Sequence, residues 1–136
     1  MLLLDNSAWS RRIKPRAQER LASVVASKEA AVCLPFLLEA GYSARSAAEH
    51  DALIADLNLL PRADIGPEVE RLALRAQSEL AAVGHHRLSP SDLIVAACAH
   101  RSGYGVLHYD RDYDVIARHT SLDFLSEWVA PAGSLD

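Results

Sequence analysis

The sequence of 136 residues has little of what marks several large protein classes. It has only two cysteines, Cys33 and Cys98, which lie in apolar runs without a C-x-x-C partner, so we expect two buried free thiols rather than a disulfide. No hydrophobic run approaches the ~20 residues of a membrane span. Only Leu2–Leu4 precede the first acid, which is too short for the core of a signal peptide. These absences favour a cytoplasmic protein.

An excess of positive charge is also missing. The chain has 14 Lys and Arg against 18 Asp and Glu, a formal net charge of −4. A strongly basic surface for nucleic acid is therefore excluded, and any nucleic-acid role needs a local basic patch or metal ions that cancel carboxylate charge. With 50% hydrophobic and 24% charged residues, the composition is typical of a globular protein, and residues 1–136 are the length of one compact domain.

Several catalytic motifs are absent as well. The sequence contains no nucleophile elbow, no phosphate-binding G-x-x-x-x-G-K loop and no dinucleotide-binding G-x-G-x-x-G. Any chemistry must come from residues that are separated in sequence.

Short apolar runs alternate with segments of helical periodicity. The patterns predict strands at 2–4, 30–34, 62–65, 106–109 and 122–125, and helices within 15–28, 35–60, 66–83, 89–103 and 113–118. This alternation favours an α/β fold with a parallel sheet and helices on both faces. Two helices between residues 35 and 60 form a helical insertion.

Acidic residues fall where strands end or helices begin. Asp5 follows the first strand, Asp110 follows a later strand, Glu39 lies one turn into a helix, and Asp92 lies in the first turn of a very apolar helix. Because ligands of open parallel sheets bind at the carboxyl ends of the strands, we expect these acids to converge, with Asp112 nearby.

Four or five carboxylates at close range raise one another's pKa unless a cation compensates them. Mg²⁺ and Mn²⁺ prefer oxygen ligands, and two such ions can activate a water and stabilise the leaving oxygen of a phosphodiester displacement. No nucleophilic side chain is then needed.

Each acid also has a structural alternative. Asp92 stands three residues after Ser89, as in a capping box, and Asp5 suits the N-cap of the next helix. Glu39 fits the solvent face of its helix, and Asp110 and Asp112 fit a solvated turn. Their joint placement is the stronger signal.

With these residues assembled, the chain resembles a PIN-domain ribonuclease, specifically the VapC toxin of type II toxin–antitoxin pairs. The resemblance spans nearly the whole chain and consists of five segments in order: LLDNS, PFLLEA, SPSDLIVAA, HYDRDYDVIA and EWVAPAGSL. It implies a PIN-like three-layer fold over residues 1–136, with a small parallel sheet flanked by helices on both faces.

The resemblance also implies a site and a reaction. The implied catalytic residues are Asp5, Glu39, Asp92 and Asp110; the implied ligands of Mg²⁺ (or Mn²⁺) are Asp5, Asp92, Asp110 and Asp112; and Ser7 matches a supporting hydroxyl. The implied reaction is hydrolysis of RNA by a metal-activated water, which inhibits translation and growth. Glu39 is either a ligand or orients that water. Asn6 stands where the family often has Thr, which leaves the acids intact.

The family implies partners too. RNA backbone contacts are expected from the basic cluster Arg11, Arg12, Lys14 and Arg16. The resemblance implies a homodimer through the apolar helices of residues 36–60, and a cognate VapB-like antitoxin that pushes a cation toward the carboxylates, in a heterotetramer or larger assembly.

Two alternatives stay open at this point. A haloacid-dehalogenase-type phosphatase also uses an Asp after the first strand, but it needs a second Asp where this chain has Ser7, and a Lys in its third motif, where only Lys14 and Lys28 are on offer. A non-catalytic PIN-like interaction module would have no need of clustered acids.

Overall fold

The computed structural model describes all residues from Met1 to Asp136. Four strands and seven helices follow one another along the chain. The strands are β1 Leu2–Leu4, β2 Ala30–Ala31, β3 Gly105–His108 and β4 Ser126–Trp128. The helices are α1 Asn6–Trp9, α2 Pro15–Ala26, α3 Leu34–Tyr42, α4 Ala47–Leu57, α5 Pro67–Ala82, α6 Pro90–Ser102 and α7 Asp112–His119.

The strands form one parallel sheet in the order β2-β1-β3-β4. Every residue of β1 and β3 is buried, as expected for central strands covered on both faces. The chain leaves β1 toward β2 on one side and returns to β3 on the other side, so the strand order reverses between β1 and β3. The carboxyl ends of these two strands are therefore where a ligand of this sheet would bind. The α/β fold with its parallel sheet is as predicted.

The core joins the sheet to its helices in one cluster of 34 buried hydrophobic residues. Helix α6 lies at its centre, in contact with β1, β3, α3, α5 and α7. The apolar sequence of α6 is explained by this position, because seven of its residues are buried. Contacts with five other elements therefore fix the position of α6 in the core.

Two predicted strands are placed differently. The 62–65 segment contributes only a single parallel bridge between Val32 and Arg62, so four helices, α3 to α6, run in succession between β2 and β3. Strand β2 is also shorter than 30–34, because Pro35 favours a helical start and α3 begins at Leu34.

The last strand begins at Ser126 rather than in the predicted 122–125 segment. Leu122 is instead a buried core residue in the connection from α7, and pairing starts where the Leu125 carbonyl accepts the Val106 N–H at 2.8 Å. The three residues of β4 are only half-buried and include Ser and Glu, so they lack an apolar signal.

The remaining predictions concern the thiols and the membrane. Cys33 and Cys98 are both buried and free, as predicted. None of the helices combines the length and the apolar character that crossing a membrane requires.

Candidate metal centre

Three parts of the chain bring carboxylates to the carboxyl ends of β1 and β3. Asp5 follows β1 directly, Asp92 lies in the first turn of α6, and Asp110 and Asp112 lie between β3 and the start of α7. Strand β3 ends at His108, so Tyr109 separates it from Asp110. Asp92, Asp110 and Asp112 each offer one carboxylate oxygen, and these three oxygens lie within 4.8 Å of one another.

Asp5 has both of its oxygens in use. One oxygen accepts the Ser7 backbone N–H at 2.9 Å and the Ser7 hydroxyl at 2.6 Å. The other oxygen accepts the Tyr113 hydroxyl at 2.6 Å. Asp5 therefore caps α1, as the N-cap alternative predicts, while its other oxygen is joined through Tyr113 to Asp92 of the acidic cluster.

Ser7 ties β1 to β3 at this edge. Its hydroxyl donates to Asp5 and accepts the backbone N–H of Tyr109 at 2.9 Å. Ser7 thus stands where a haloacid-dehalogenase-type phosphatase would need its second Asp, and it orients Asp5 rather than supplying a carboxylate.

Tyr113 links Asp5 to Asp92 and was not predicted. Its side chain is completely buried, and its hydroxyl lies 2.6 Å from Asp5 Oδ1 and 3.2 Å from Asp92 Oδ1. Burial, followed by the charges of Asp5 and Asp92, raises the pKa of the Tyr113 phenol, so the hydroxyl keeps the one proton that these two carboxylates share. The sequence pattern alone makes this tyrosine look like any other core aromatic.

Asp92 has a pKa of about 7 instead of 3.8. Burial is the main cause, and the charges of Asp5 and Asp110 add to it, while the Tyr113 hydrogen bond opposes it. The capping-box alternative is wrong, because the Ser89 side chain caps no backbone group and the Asp92 carboxylate points to Tyr113. Burial and the neighbouring acids therefore make the ionised form of Asp92 unfavourable in the absence of a cation.

The Asp110–Asp112 pair adds negative charge from the start of α7. Asp110 accepts the Asp112 backbone N–H at 2.9 Å. Burial, with a further contribution from the Asp110 charge, raises the pKa of Asp112. The two acids face the same cluster from one short segment.

His108 positions Asp110 and was also missed. The Asp110 N–H donates to His108 Nδ1 at 3.1 Å, so Nε2 carries the ring proton and faces the Ser126 hydroxyl at 2.7 Å. Burial lowers the pKa of His108, which favours this neutral form. The ring is completely buried.

Glu39 lies beside the cluster rather than within it. It is half-buried on α3, and its carboxylate accepts the Ser91 hydroxyl at 2.5 Å. Because Ser91 precedes Asp92, this bond ties Glu39 to the first turn of α6. The tether through Ser91 is another contact that the sequence did not reveal.

Two of the four predicted RNA-binding residues, Arg11 and Arg12, stack on different aromatic rings. Arg11 donates to the Ser7 carbonyl at 2.8 Å and lies over the Tyr109 ring, 4.3 Å from its centroid. Arg12 turns to the Trp9 ring, at 4.6 Å. Lys14 and Arg16 are exposed. Only Arg11 contacts the residues that orient Asp5.

The donors available for a cation at this edge are all carboxylate oxygens. The acidic group of Asp92, Asp110 and Asp112 contains no histidine or cysteine ligand. Such a donor set fits a hard divalent cation rather than a soft transition metal. A bound cation would also relieve the repulsion that raises the pKa of Asp92.

Comparison with known proteins points in one direction. The family model described as the PIN domain matches residues 2–119. Ribonuclease VapC18 of Mycobacterium tuberculosis (strain ATCC 25618 / H37Rv) is 38% identical over 135 residues, which cover 97% of this chain and 97% of the relative. Ribonuclease VapC51 of the same strain is 36% identical over 137 residues, covering 98% of this chain and 96% of the relative.

Solved structures show the same fold. The crystal structure of VapBC2 from Rickettsia felis, bound to a DNA fragment from its promoter, aligns with a TM-score of 0.72 at 15% identity and covers 93% of this chain and 98% of that chain. The structure of DNA-bound VapBC from Salmonella typhimurium aligns with a TM-score of 0.72 at 17% identity, covering 96% and 100%.

Proposed function

Since the chain belongs to the PIN-domain family and to its VapC ribonucleases, we propose that its acidic centre hydrolyses RNA phosphodiester bonds with Mg²⁺ or Mn²⁺. The observation that carries this proposal is that Asp92, Asp110 and Asp112 place carboxylate oxygens within 4.8 Å of one another, while the Tyr113 hydroxyl joins Asp92 to Asp5. Four acids from three separate parts of the chain converge there although they repel one another. We further propose that residues 1–136 form a single PIN-like nuclease domain.

The metal ligands in this proposal are Asp5, Asp92, Asp110 and Asp112. When bound, the divalent ion supplies positive charge to the scissile phosphate and lowers the pKa of water. The single hydroxyl proton of Tyr113 is shared between Asp5 at 2.6 Å and Asp92 at 3.2 Å, which links the two carboxylates. Ser7 fixes the rotation of the Asp5 carboxylate, because the Ser7 N–H and hydroxyl both donate to Asp5 Oδ2. The chain thus builds its charge before the ion arrives.

Glu39 has a different role from the ligands. Its carboxylate is anchored to Ser91 and stands beside the cluster, which places it to accept a proton from the attacking water and to orient it. Asp5, Glu39, Asp92 and Asp110 are therefore the proposed catalytic residues, and Asp112 completes the ligand set.

The biological role follows from the relatives. The matched relatives are named ribonucleases, and the matched structures are VapBC complexes. We propose that this chain is a cytoplasmic toxin whose RNA cleavage inhibits translation and growth. A cognate VapB-like antitoxin would neutralise it by placing a cation among the carboxylates in competition with the metal.

Exposed apolar side chains on α3 and just after α4 support assembly. Leu38 and Tyr42, one turn apart on α3, are 64% and 92% exposed, Leu59 two residues beyond α4 is 85% exposed, and Leu57 is the only buried residue of α4. Large exposed apolar side chains are typical of a protein interface. We propose that this region forms the homodimer, on which a heterotetramer or larger complex with the antitoxin is built.

The test of the proposed function is RNA cleavage by matched variants. D5N and D92N each remove one ligand charge, and we expect cleavage to fall by at least about 100-fold, since loss of a supporting group alone costs 10–100-fold at metal sites. The control is E68Q, which removes a carboxylate that pairs with Arg101 far from the centre. Cleavage by D92N at the rate of E68Q would refute the assignment, and sequencing of the 5′ ends of cut RNAs would identify the target.

A further inference from the structure

Arg11 holds an unusual position at the border of the acidic centre. Its guanidinium lies over the Tyr109 ring and donates to the Ser7 carbonyl. The other side of Ser7 binds Asp5, and Tyr109 immediately precedes Asp110. Stacking and the hydrogen bond together hold this cation on Ser7, which binds Asp5, and on Tyr109, which adjoins Asp110.

The guanidinium of Arg11 is only loosely neutralised. Asp136 approaches it at 3.7 Å, which is an ion pair but too long for a hydrogen bond. The two side chains are 33% and 64% exposed. A guanidinium has five N–H donors, and one of them is used by Ser7. Arg11 therefore keeps donors for a second anion, and the anion it now faces is weakly bound.

Asp136 is held in place by its own chain segment rather than by Arg11. The neighbouring Leu135 is buried, and its backbone N–H donates to the Tyr109 hydroxyl at 3.0 Å. The same hydroxyl lies 3.5 Å from the Asp136 carboxylate. Tyr109 thus supports the cation on its ring face and the anion at its hydroxyl.

We propose that Asp136 is an exchangeable counter-ion on Arg11, and that a phosphate of the RNA displaces it when RNA enters the acidic centre. This inference rests on the proposed function and specifies how the substrate backbone is gripped. Arg11 binds the incoming phosphate bidentately through donors that Asp136 does not use well. Asp136 then acts as an internal competitor that weakens RNA binding. Arg11 is a binding and positioning residue, and Asp136 regulates its availability.

The other members of the basic cluster do not share this arrangement. Arg12 is exposed over Trp9, where its guanidinium donates to the Trp9 carbonyl at 3.0 Å, and no acid pairs with it. Within residues 11–16, the contacts with Ser7, Tyr109 and Asp136 are therefore made by the Arg11 side chain.

The experiment measures binding without cleavage. In the D92N background, the affinity for a fluorescein-labelled single-stranded RNA of mixed sequence is measured by anisotropy in Mg²⁺ buffer. We expect R11A to weaken binding by about tenfold, in line with a hydrogen-bonded charge pair. It should also reduce the slope of log affinity against log salt by about 0.7, the contribution of one phosphate contact on a single strand.

The second variant tests the counter-ion itself. D136N should tighten binding by about two- to fivefold, the range expected for an exposed ion pair. The control is E68Q, which makes the same change in net charge and frees Arg101 from an ion pair of 2.6 Å at the far end of α6 from Asp92. E68Q should leave RNA affinity unchanged.

The decisive comparison is the double variant. With R11A already present, D136N should have no effect beyond that of E68Q, because the competition has been removed. Tighter binding by D136N that persists in the R11A background, or equal effects of D136N and E68Q, would overturn the exchange while leaving the proposed function intact. Wild-type protein that neither binds nor cleaves RNA in Mg²⁺ buffer would refute the proposed function, and the exchange with it.

Discussion

Replacing Asp92 with asparagine should stabilise the metal-free protein above neutral pH while abolishing RNA cleavage. Asparagine keeps the size of the side chain and an oxygen that accepts the Tyr113 hydroxyl, but it removes the charge. The change therefore isolates the electrostatic cost of the acid from its packing. Most active-site substitutions show only a loss of activity. D92N should also show, as a gain in unfolding free energy, how much the Asp92 charge destabilises the metal-free protein.

The magnitude follows from the pKa of Asp92, which rises from 3.8 to about 7 on folding. A difference of roughly three units at 1.36 kcal/mol each sets an upper limit of about 4 kcal/mol on the cost of ionising Asp92 in the folded protein. We expect about half of this limit to be realised, because neighbouring acids relax when one is neutralised. That is about 2 kcal/mol, or roughly 6–10 °C in Tm for a chain of this length.

The sign of the pH dependence is determined by the direction of the shift. A carboxyl with a raised pKa binds more protons in the folded chain than in the unfolded chain between about pH 4 and 7. The stability of the wild type therefore falls as the pH rises through this window, and the full cost is present above pH 7. Asparagine carries no such cost. The unfolding free energy of D92N should therefore equal that of the wild type at pH 4 and exceed it most at pH 8.

Other groups titrate in the same pH range, so their contributions to the unfolding free energy must be separated from that of Asp92. The raised pKa of Asp112 acts in the same direction as that of Asp92, whereas the lowered pKa of the buried His108 destabilises the folded chain as the pH falls below about 6.5. The quantity to compare is therefore the difference in unfolding free energy between D92N and wild type at each pH, in which the contributions of the other groups largely cancel.

The assay is urea denaturation in EDTA at a series of pH values from 4 to 8. The control is D56N, which removes an exposed carboxylate of α4 that pairs with no cation and should give a difference that does not grow with pH. Added Mg²⁺ should reverse the order of stability, because it binds the wild-type cluster more tightly than the cluster that has lost one carboxylate. A gain for D92N that is constant from pH 4 to 8, or a loss at pH 8, would refute the reasoning.

Three further changes test the support of the centre and of the sheet. Y113F removes the donor between two acids, so unfolding free energy should fall by about 1–3 kcal/mol and the pH midpoint of cleavage should move upward, which a downward shift in the pH–rate profile would contradict. S91A should lower kcat by about tenfold with little change in Tm, because it frees the Glu39 carboxylate; an unchanged kcat would contradict the tether. G105A places a Cβ 2.9 Å from the Leu125 carbonyl oxygen, so urea denaturation should show a loss of about 1–3 kcal/mol, and wild-type stability would contradict the close approach of β4.

The acidic centre has a clear energetic logic. A folded chain that places Asp92 beside Asp5 and Asp110 is less stable without metal, and the hydrophobic cluster around α6 must offset that cost. The rigid first turn of α6 then keeps the carboxylates from separating. The carboxylate oxygens that destabilise the metal-free chain are the same oxygens that would bind a cation tightly.

Much of this architecture is predictable because its causes are local. The run Leu2–Leu4 followed by Asp5 indicates both a buried strand and the point where it ends. The apolar residues 93–99 indicate a largely buried helix. Helix starts are marked by prolines at Pro15, Pro67 and Pro90. Strand β4 was misplaced because its half-buried Ser, Glu and Trp carry no periodic apolar signal.

The contacts that hold the acids were beyond the sequence. Tyr113, Ser91 and His108 contact their carboxylate partners, or the backbone beside them, through side-chain directions that depend on how α7 and α6 pack on the sheet. The splitting of the basic cluster is of the same kind, because Arg11 and Arg12 are adjacent in sequence yet stack on different aromatic rings.

By itself, the sequence determined most of the helices, the buried strands β1 and β3, the parallel sheet and the positions of the acids at strand ends and helix starts, since hydrophobic periodicity and helix signals act over a few residues. Only the tertiary structure decided which hydroxyl joins Asp5 to Asp92, which arginine faces the centre and how far the Asp92 pKa rises. These properties depend on burial and on distances between residues far apart in the chain, and such distances exist only once the core has formed.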